Sequence, residues 1–385
     1  MELTPEALDL EFPSRRSSIQ FNHAAVAPLP ARSAAALSAW AAALSENGPF
    51  GWQEWQEAAQ ELKVLAAALL GAREASGGAA SISIVPNTTA GLSFVASGLE
   101  WSAGDEVVTT ATEFPANLTP WLALEGRGVA VRRLRTKDGA FDVEDVERAL
   151  CPRTRLVCVS LVAFHTGFLA DAAAIGALCR SRRILFGLDG IQAVGAVPVD
   201  VESSGVDFLS ADGHKWMLGP EGCGILFTSP SLRERLAPPP GWINLARPFG
   251  TFAPEESPSY LGDGRRFEPG ALPTPGVYAL RESLRLLSGI GSATVSARIA
   301  ATLEVLVRGL PRLGWEPVLF GGPPRSGILA ARPPRGTDPR RSALALAERR
   351  ICVTAREGFL RMSPHVGNDP DEAARLLGSL LGSGL

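Results

Sequence analysis

Hydrophobic and polar positions along the chain change their period near residue 80. Before it, residues 31–44 are rich in alanine, and over residues 52–70 Trp55, Ala59, Leu62, Ala66 and Leu69 recur along one side at helical spacing. Gly71 ends that pattern. After it, apolar runs too short for helices fall at residues 81–85, 106–109, 129–134, 156–161, 185–189 and 208–210, with another at 223–227. Between them, residues 90–98, 142–150 and 172–180 predict helices. Strand and helix alternating at this spacing predict an α/β fold with a mostly parallel sheet between helices. Such sheets take ligands at the carboxyl ends of their strands.

A proline-rich connection over residues 238–275, through Pro239, Pro254 and Pro275, then reads as a long loop or a domain border. Beyond it, helices are expected at residues 277–287 and 293–310, strands at 328–331 and 351–354, and a last helix at 371–381. This organisation predicts a large domain over residues 20–275. A smaller C-terminal α+β domain over 276–385 would be joined by residues 1–19.

With 385 residues, 46% of them hydrophobic, the chain has enough apolar mass for substantial cores. A formal net charge of −3 supplies no field for nucleic acid or an anionic membrane, so neither is an expected partner. Residues 1–18 lack the apolar centre of a signal peptide, and no apolar run is long enough to cross a bilayer. A cytoplasmic protein is the expectation. The five cysteines show no C-x-x-C spacing and the four histidines no H-x-x-H pairing, so neither a disulfide framework nor a metal is expected.

Candidate chemistry centres on Lys215. Only Lys63, Lys137 and Lys215 are lysines among 37 basic residues, and Lys215 sits in Gly213-His214-Lys215-Trp216 between two apolar runs. Arginine keeps its proton at neutral pH and does not form Schiff bases, whereas a desolvated lysine loses its proton and attacks carbonyls. Upstream, Asp189 ends an apolar run, where an acid needs a cation or hydrogen bonds. Asn87-Thr88-Thr89 opens a helix and offers an anion site. Phe114 offers an aromatic face, and Arg361 a fork for a carboxylate. Singly, these are a helix cap, a core residue and a surface charge. Together they supply what a protein gives to pyridoxal phosphate: an amine, an acid for the ring nitrogen, a phosphate site and a carboxylate site.

Asp189-Gly190-Ile191-Gln192, Gly213-His214-Lys215-Trp216, Gly219-Pro220-Glu221-Gly222 and Arg361 with Ser363, His365 and Asn368 together resemble the class V aminotransferase family. These are fold-type I pyridoxal-phosphate enzymes, among them cysteine desulfurases, isopenicillin-N epimerase-like proteins, kynureninase and related C–S lyases. The resemblance runs from about Phe21 to about Leu377 and implies a seven-stranded-type sheet. It implies that Lys215 carries the Schiff base, Asp189 pairs with the ring nitrogen and Gln192 touches the ring hydroxyl. Thr88, Thr89 and His214 would hold the phosphate, and Phe114 would stack on the ring. Arg361 would bind the substrate carboxylate, with Asn22 and His23 lining the substrate side. A homodimer is implied, with residues 266–270 reaching the partner's phosphate.

Some positions depart from the family's pattern. Ala271 stands where many relatives have Thr, Phe164 where Asn or Gln is common, Phe114 where His stacks, and Asp212 where a small hydroxyl is usual. Because a carboxylate repels phosphate, Asp212 is expected to point away and Ser210 or water to serve instead. The expected substrate is an α-amino acid, deprotonated at Cα by Lys215, in aminotransferase-type chemistry. C–S lyase, cysteine desulfurase-like and epimerase chemistry are the alternatives, and a non-catalytic binding or regulatory protein is the rival. Cys352, in a β-branched run, reads as an inert strand thiol, which argues against a desulfurase.

Overall fold

The computed structural model describes residues 3–246 and 258–381. Part of the proline-rich connection, including Pro254, lies outside the described residues, as do Met1, Glu2 and residues 382–385. Helices α1 (Ala31–Asn47) and α2 (Trp52–Leu69) precede strand β1 (Ile82–Val85) and helix α3 (Thr88–Gly98). There follow β2 (Glu106–Thr110), β3 (Ala130–Leu134), α4 (Val143–Ala149), β4 (Thr154–Ser160), α5 (Ala172–Arg182) and β5 (Leu185–Asp189). Strands β6 (Phe208–Asp212) and β7 (Gly224–Thr228) complete one sheet.

That sheet has seven strands in the order β1-β7-β6-β5-β4-β2-β3. The five strands from β6 to β3 pair in parallel, whereas β7 runs antiparallel to both β6 and β1. Every residue of β1, β2, β5, β6 and β7 is buried, as expected for strands covered on both faces. Edge strand β3 instead exposes Arg132 and Arg133, charges that discourage edge-to-edge pairing. The centre of the sheet is therefore dry, and its chemistry lies where the parallel strands end.

Helices α6 (Thr274–Ile290) and α7 (Ser292–Gly309) lead into a four-stranded antiparallel sheet. It is built from β8 (Glu316–Pro317), β9 (Leu329–Arg332), β10 (Thr354–Arg356) and β11 (Phe359–Met362), with helices α8 (Pro339–Glu348) and α9 (Pro370–Leu381) beside it. The strand expected at residues 351–354 is divided. Ile351–Cys352 pairs in parallel with Ile19–Gln20, and Thr354 begins β10. The N-terminal segment is thereby stitched to the C-terminal region, and one apolar core runs through Phe21, Phe186, Val277 and Leu376. Among the described residues no single helix is long and apolar enough to cross a membrane.

Candidate active site

Asp189 is the last residue of β5 and only 2% exposed. Its Oδ1 accepts the Ile191 N–H at 3.0 Å, while Oδ2 is buried without a partner. Burial pushes this carboxyl up from the ordinary range, and the charge of Glu113 adds to the shift. The Ile191 N–H and Lys215 oppose it. An acid this costly to bury calls for a cation at Oδ2.

The next strand, β6, delivers Lys215. After Asp212 the chain turns through Gly213, whose missing Cβ would stand 2.5 Å from the Cys223 carbonyl. It leaves through Leu218, held in the left-handed region at φ 59°. The Gly219 N–H bonds back to the Gly213 carbonyl at 2.8 Å, and Ser283 Oγ donates to the Leu218 carbonyl at 2.7 Å. Lys215, 9% exposed, places Nζ 5.6 Å from the centre of the Phe114 ring. Burial lowers its pKa to about 8 and outweighs the opposing attraction of Asp189. A buried amine near neutrality at mild alkaline pH is a nucleophile and a base.

The threonines fall inside the first turn of α3 rather than before it. Asn87 caps the helix, its Oδ1 accepting the Ala90 N–H at 2.9 Å. No described residue takes the N–H groups of Thr88 and Thr89, and both residues line the cavity with Asn87, as suits an anion. Thr88 Oγ1 also accepts the Asp212 N–H at 3.0 Å, tying this helix to the end of β6.

The expectation for Ser210 and Asp212 is reversed. Ser210 is fully buried, bonds through Oγ to the Thr88 carbonyl at 3.2 Å and faces Gly91 of α3, so it does not reach the cavity. Asp212, two residues on, passes beyond the helix end and lines the cavity. Its Oδ1 accepts the Gly213 N–H at 2.7 Å, and its Oδ2 lies 2.9 Å from His214 Nδ1. The carboxylate is thus occupied by its own turn.

The cavity, about 360 Å³, is closed on the aromatic side by Phe114 and Phe164, whose rings meet edge to face at 5.2 Å. Gln192 lines it too. Its Nε2 donates to the Ala24 carbonyl at 3.0 Å and its Oε1 accepts from Trp216 Nε1 at 2.8 Å, which fixes the amide. Arg361, on β11, reaches in from the second sheet and is 2% exposed. Its Nη1 donates to the Phe164 carbonyl at 2.7 Å, whereas Nε and Nη2 are buried and unpartnered. Burial, then the nearby charge of Arg356, lowers its pKa to about 9. Two free donors on a desolvated guanidinium are a carboxylate site waiting for its anion.

Two expected substrate-side residues fall elsewhere. Asn22 Oδ1 accepts from Thr354 Oγ1 at 2.6 Å. His23 is buried against the rings of Trp216 and His365, and its Nδ1 bonds to the Ser363 carbonyl at 3.1 Å. Neither lines the cavity. Arg356 does, and the sequence reading missed it. It faces Phe359 across a hairpin whose two turn residues, Glu357 and Gly358, both have positive φ. An arginine next to a Glu-Gly turn was the available signal.

A buried lysine, free helix N–H groups and an unpaired arginine around one cavity, with the unpartnered Asp189 oxygen buried two residues before Ile191 of its wall, fit pyridoxal phosphate. Residues 27–361 match the sequence model of the aminotransferase class-V family. The chain belongs to that family. It is a pyridoxal-phosphate-dependent enzyme of fold type I. An uncharacterized aminotransferase, YcbU, of Bacillus subtilis is 28% identical over 292 residues, 76% of each chain. A cysteine desulfurase of Klebsiella pneumoniae is 31% identical over 266 residues, 66% of this chain and 63% of that one. The cystine C-S lyase C-DES, solved with its reaction product cysteine persulfide, superimposes with a TM-score of 0.88 at 27% identity, covering 97% of this chain and 100% of that one. A C-DES mutant with glycine covalently linked to the cofactor gives 0.89 at 26%, covering 98% and 99%.

Proposed function

We propose that the protein is a C–S lyase that cleaves the Cβ–S bond of a cysteine-type amino acid, with a disulfide such as cystine as the substrate class. The observation carrying this reading is that no cysteine lines a cavity otherwise equipped for amino-acid chemistry. Cys352 sits in the short strand pair with Gln20, outside the cavity wall. A desulfurase needs a thiol at the sulfur to be removed, and a lyase does not. The resemblance to C-DES over nearly the whole chain supports the same choice. The two guanidiniums suit a substrate with two carboxylates, Arg361 taking the one on the reacting carbon and Arg356 the distal one.

When bound, the cofactor supplies an electron sink that acidifies the Cα–H bond. Asp189 would hold its ring nitrogen protonated, and the Thr88 and Thr89 N–H groups with His214 would hold its phosphate. Phe114 and Phe164 keep water off the ring face. Arg361 sets the substrate's orientation, and Lys215, neutral at mildly alkaline pH, takes the Cα proton. Elimination then breaks Cβ–S, the electron pair leaving with sulfur. Cystine plus water gives pyruvate, ammonia and a persulfide. We also read the protein as a cytoplasmic homodimer in which residues 266–270 reach the partner's phosphate.

Pyruvate and persulfide formed from L-cystine, and kept in Cys352→Ser, would support the lyase. Loss of sulfur release in Cys352→Ser would instead indicate a desulfurase. A second reading, transamination, is favoured by the name of the Bacillus relative. It predicts a keto acid equimolar with cofactor that keeps the amino group, with no ammonia.

A further inference from the structure

We propose that Glu113 is a positioning residue for the ring-nitrogen end of the cofactor site: gripped by Thr110 and Ser160, it aims Phe114 at the cavity and sets a second buried carboxylate beside Asp189, favouring a protonated ring nitrogen. Glu113 directly precedes Phe114, and unlike it is buried. Its Oε1 accepts the Ser160 N–H at 2.9 Å and the Thr110 hydroxyl at 3.1 Å, and its Oε2 accepts the Ser160 hydroxyl at 2.5 Å. Thr110 ends β2 and Ser160 ends β4, so the loop carrying Phe114 is pinned to two strand ends at once. In the sheet register Ser160 is the partner of Asp189. Glu113, in the loop after β2, is therefore held at the end of the strand that pairs with the one Asp189 ends.

Glu113 has no ion-pair partner among the described residues, and burial raises its pKa despite hydrogen bonds from Ser160 and Thr110. The same pocket of the fold holds the Cys158 thiol, kept neutral by burial and by the charges of Glu113 and Asp189. Among the described residues the cation acting on Asp189 is Lys215, which is itself acted on by Arg361, Arg356 and Asp212. Burial makes both acids costly to charge, and a cation placed at the free Asp189 oxygen offsets that cost. A protonated ring nitrogen at the free Asp189 oxygen is such a cation, and Glu113 adds to its stabilisation without touching it.

The test needs no amino-acid substrate, so it is independent of the lyase reading. It uses the cofactor-loaded protein, the pH midpoint of the visible band given by cofactor bound at Lys215, and the dissociation constant for pyridoxal phosphate. Glu113→Gln, which can keep the Ser160 and Thr110 contacts, is expected to lower the midpoint by at least 0.5 pH unit and to weaken cofactor binding at least threefold, magnitudes on the order expected for one nearby charge. Glu113→Asp restores the charge and should bring the midpoint back toward the native value. Glu147→Gln, a surface charge removed, should leave it in place. An unshifted midpoint in Glu113→Gln overturns the proposal, as does an equal shift in Glu113→Asp or Glu147→Gln. If Glu113→Gln does not fold, Ser160→Ala is read instead. Losing that hydroxyl makes Glu113 harder to ionise and should move the midpoint down, and no movement overturns the proposal.

Discussion

Arg361→Met separates the cost of a preformed substrate site from its use. The native guanidinium is 2% exposed, and two of its nitrogens have no partner. Burial lowers its pKa to about 9, a drop from the ordinary arginine range that corresponds to on the order of 4 kcal/mol against the ligand-free fold. Methionine fills similar space with no charge to desolvate, but it gives up the bond to the Phe164 carbonyl, about 2 kcal/mol. The net expectation is a ligand-free protein stabilised by about 2 kcal/mol at pH 7, seen as a melting transition a few degrees higher. Catalysis should move the opposite way. Two charge-assisted bonds to a carboxylate at about 1.5–3 kcal/mol each put the loss in kcat/KM at roughly 10²–10⁴-fold. The pH dependence fixes the sign. Between the lowered pKa and the ordinary one the unfolded chain binds a proton that the folded chain does not, so native stability rises with pH above about 9. The methionine variant lacks that component, and its advantage should shrink from pH 7 to pH 10 in calorimetry of the ligand-free protein. A variant less stable than native at pH 7, or a difference constant with pH, would refute the assignment of Arg361 as a desolvated, unpaired cation.

Capture of pyridoxal phosphate by the ligand-free protein, followed by stopped-flow absorbance, should speed up as pH rises through about 8, where Lys215 becomes neutral. In Asp189→Asn the counter-charge favouring the ammonium is gone, and the midpoint should move lower; an unchanged midpoint would show that the two groups do not interact. Thr88→Val removes the acceptor for the Asp212 N–H and is expected to weaken cofactor binding at least tenfold, about 1.4 kcal/mol, by equilibrium dialysis. Ser210→Ala, which empties no cavity contact, should stay within about twofold of native; comparable losses in both would restore Ser210 to the phosphate site.

The sheet was legible because five of its seven strands are buried throughout and read as mostly apolar runs, as in residues 185–188. Lys215, Asp189, the threonines and Arg361 were legible as residue types that chemistry requires, and the structure brings all but Asp189 to one cavity wall, with Asp189 buried two residues before Ile191 of that wall. What the sequence withheld was orientation. Ser210 and Asp212 have the same parity in β6, and only the position of the α3 terminus decides that one is covered by Gly91 and the other is not. Asn22 and His23 sit beside apolar Phe21, and the strand pairing of Asn22 with Ser363 turns the segment into the core. Arg356 was hidden by composition, since an arginine carries little information in a chain so rich in them.

That same composition gives the lysines their meaning. Lys137 is exposed in a short hairpin, where either base would serve, but Lys63 and Lys215 are both buried. Lys63 meets Glu268 at 2.8 Å, an ion pair that matches its charge inside the fold. Lys215 lacks any ion pair among the described residues, and Asp189 acts on it only from a distance. Matching would have kept the amine protonated and inert. Separation lets burial win, which lowers the amine's pKa and raises that of Asp189 together. The site therefore holds Lys215 and Asp189 apart, each with its charge unmatched. A cofactor with a carbonyl for the one and a ring nitrogen for the other relieves both at once.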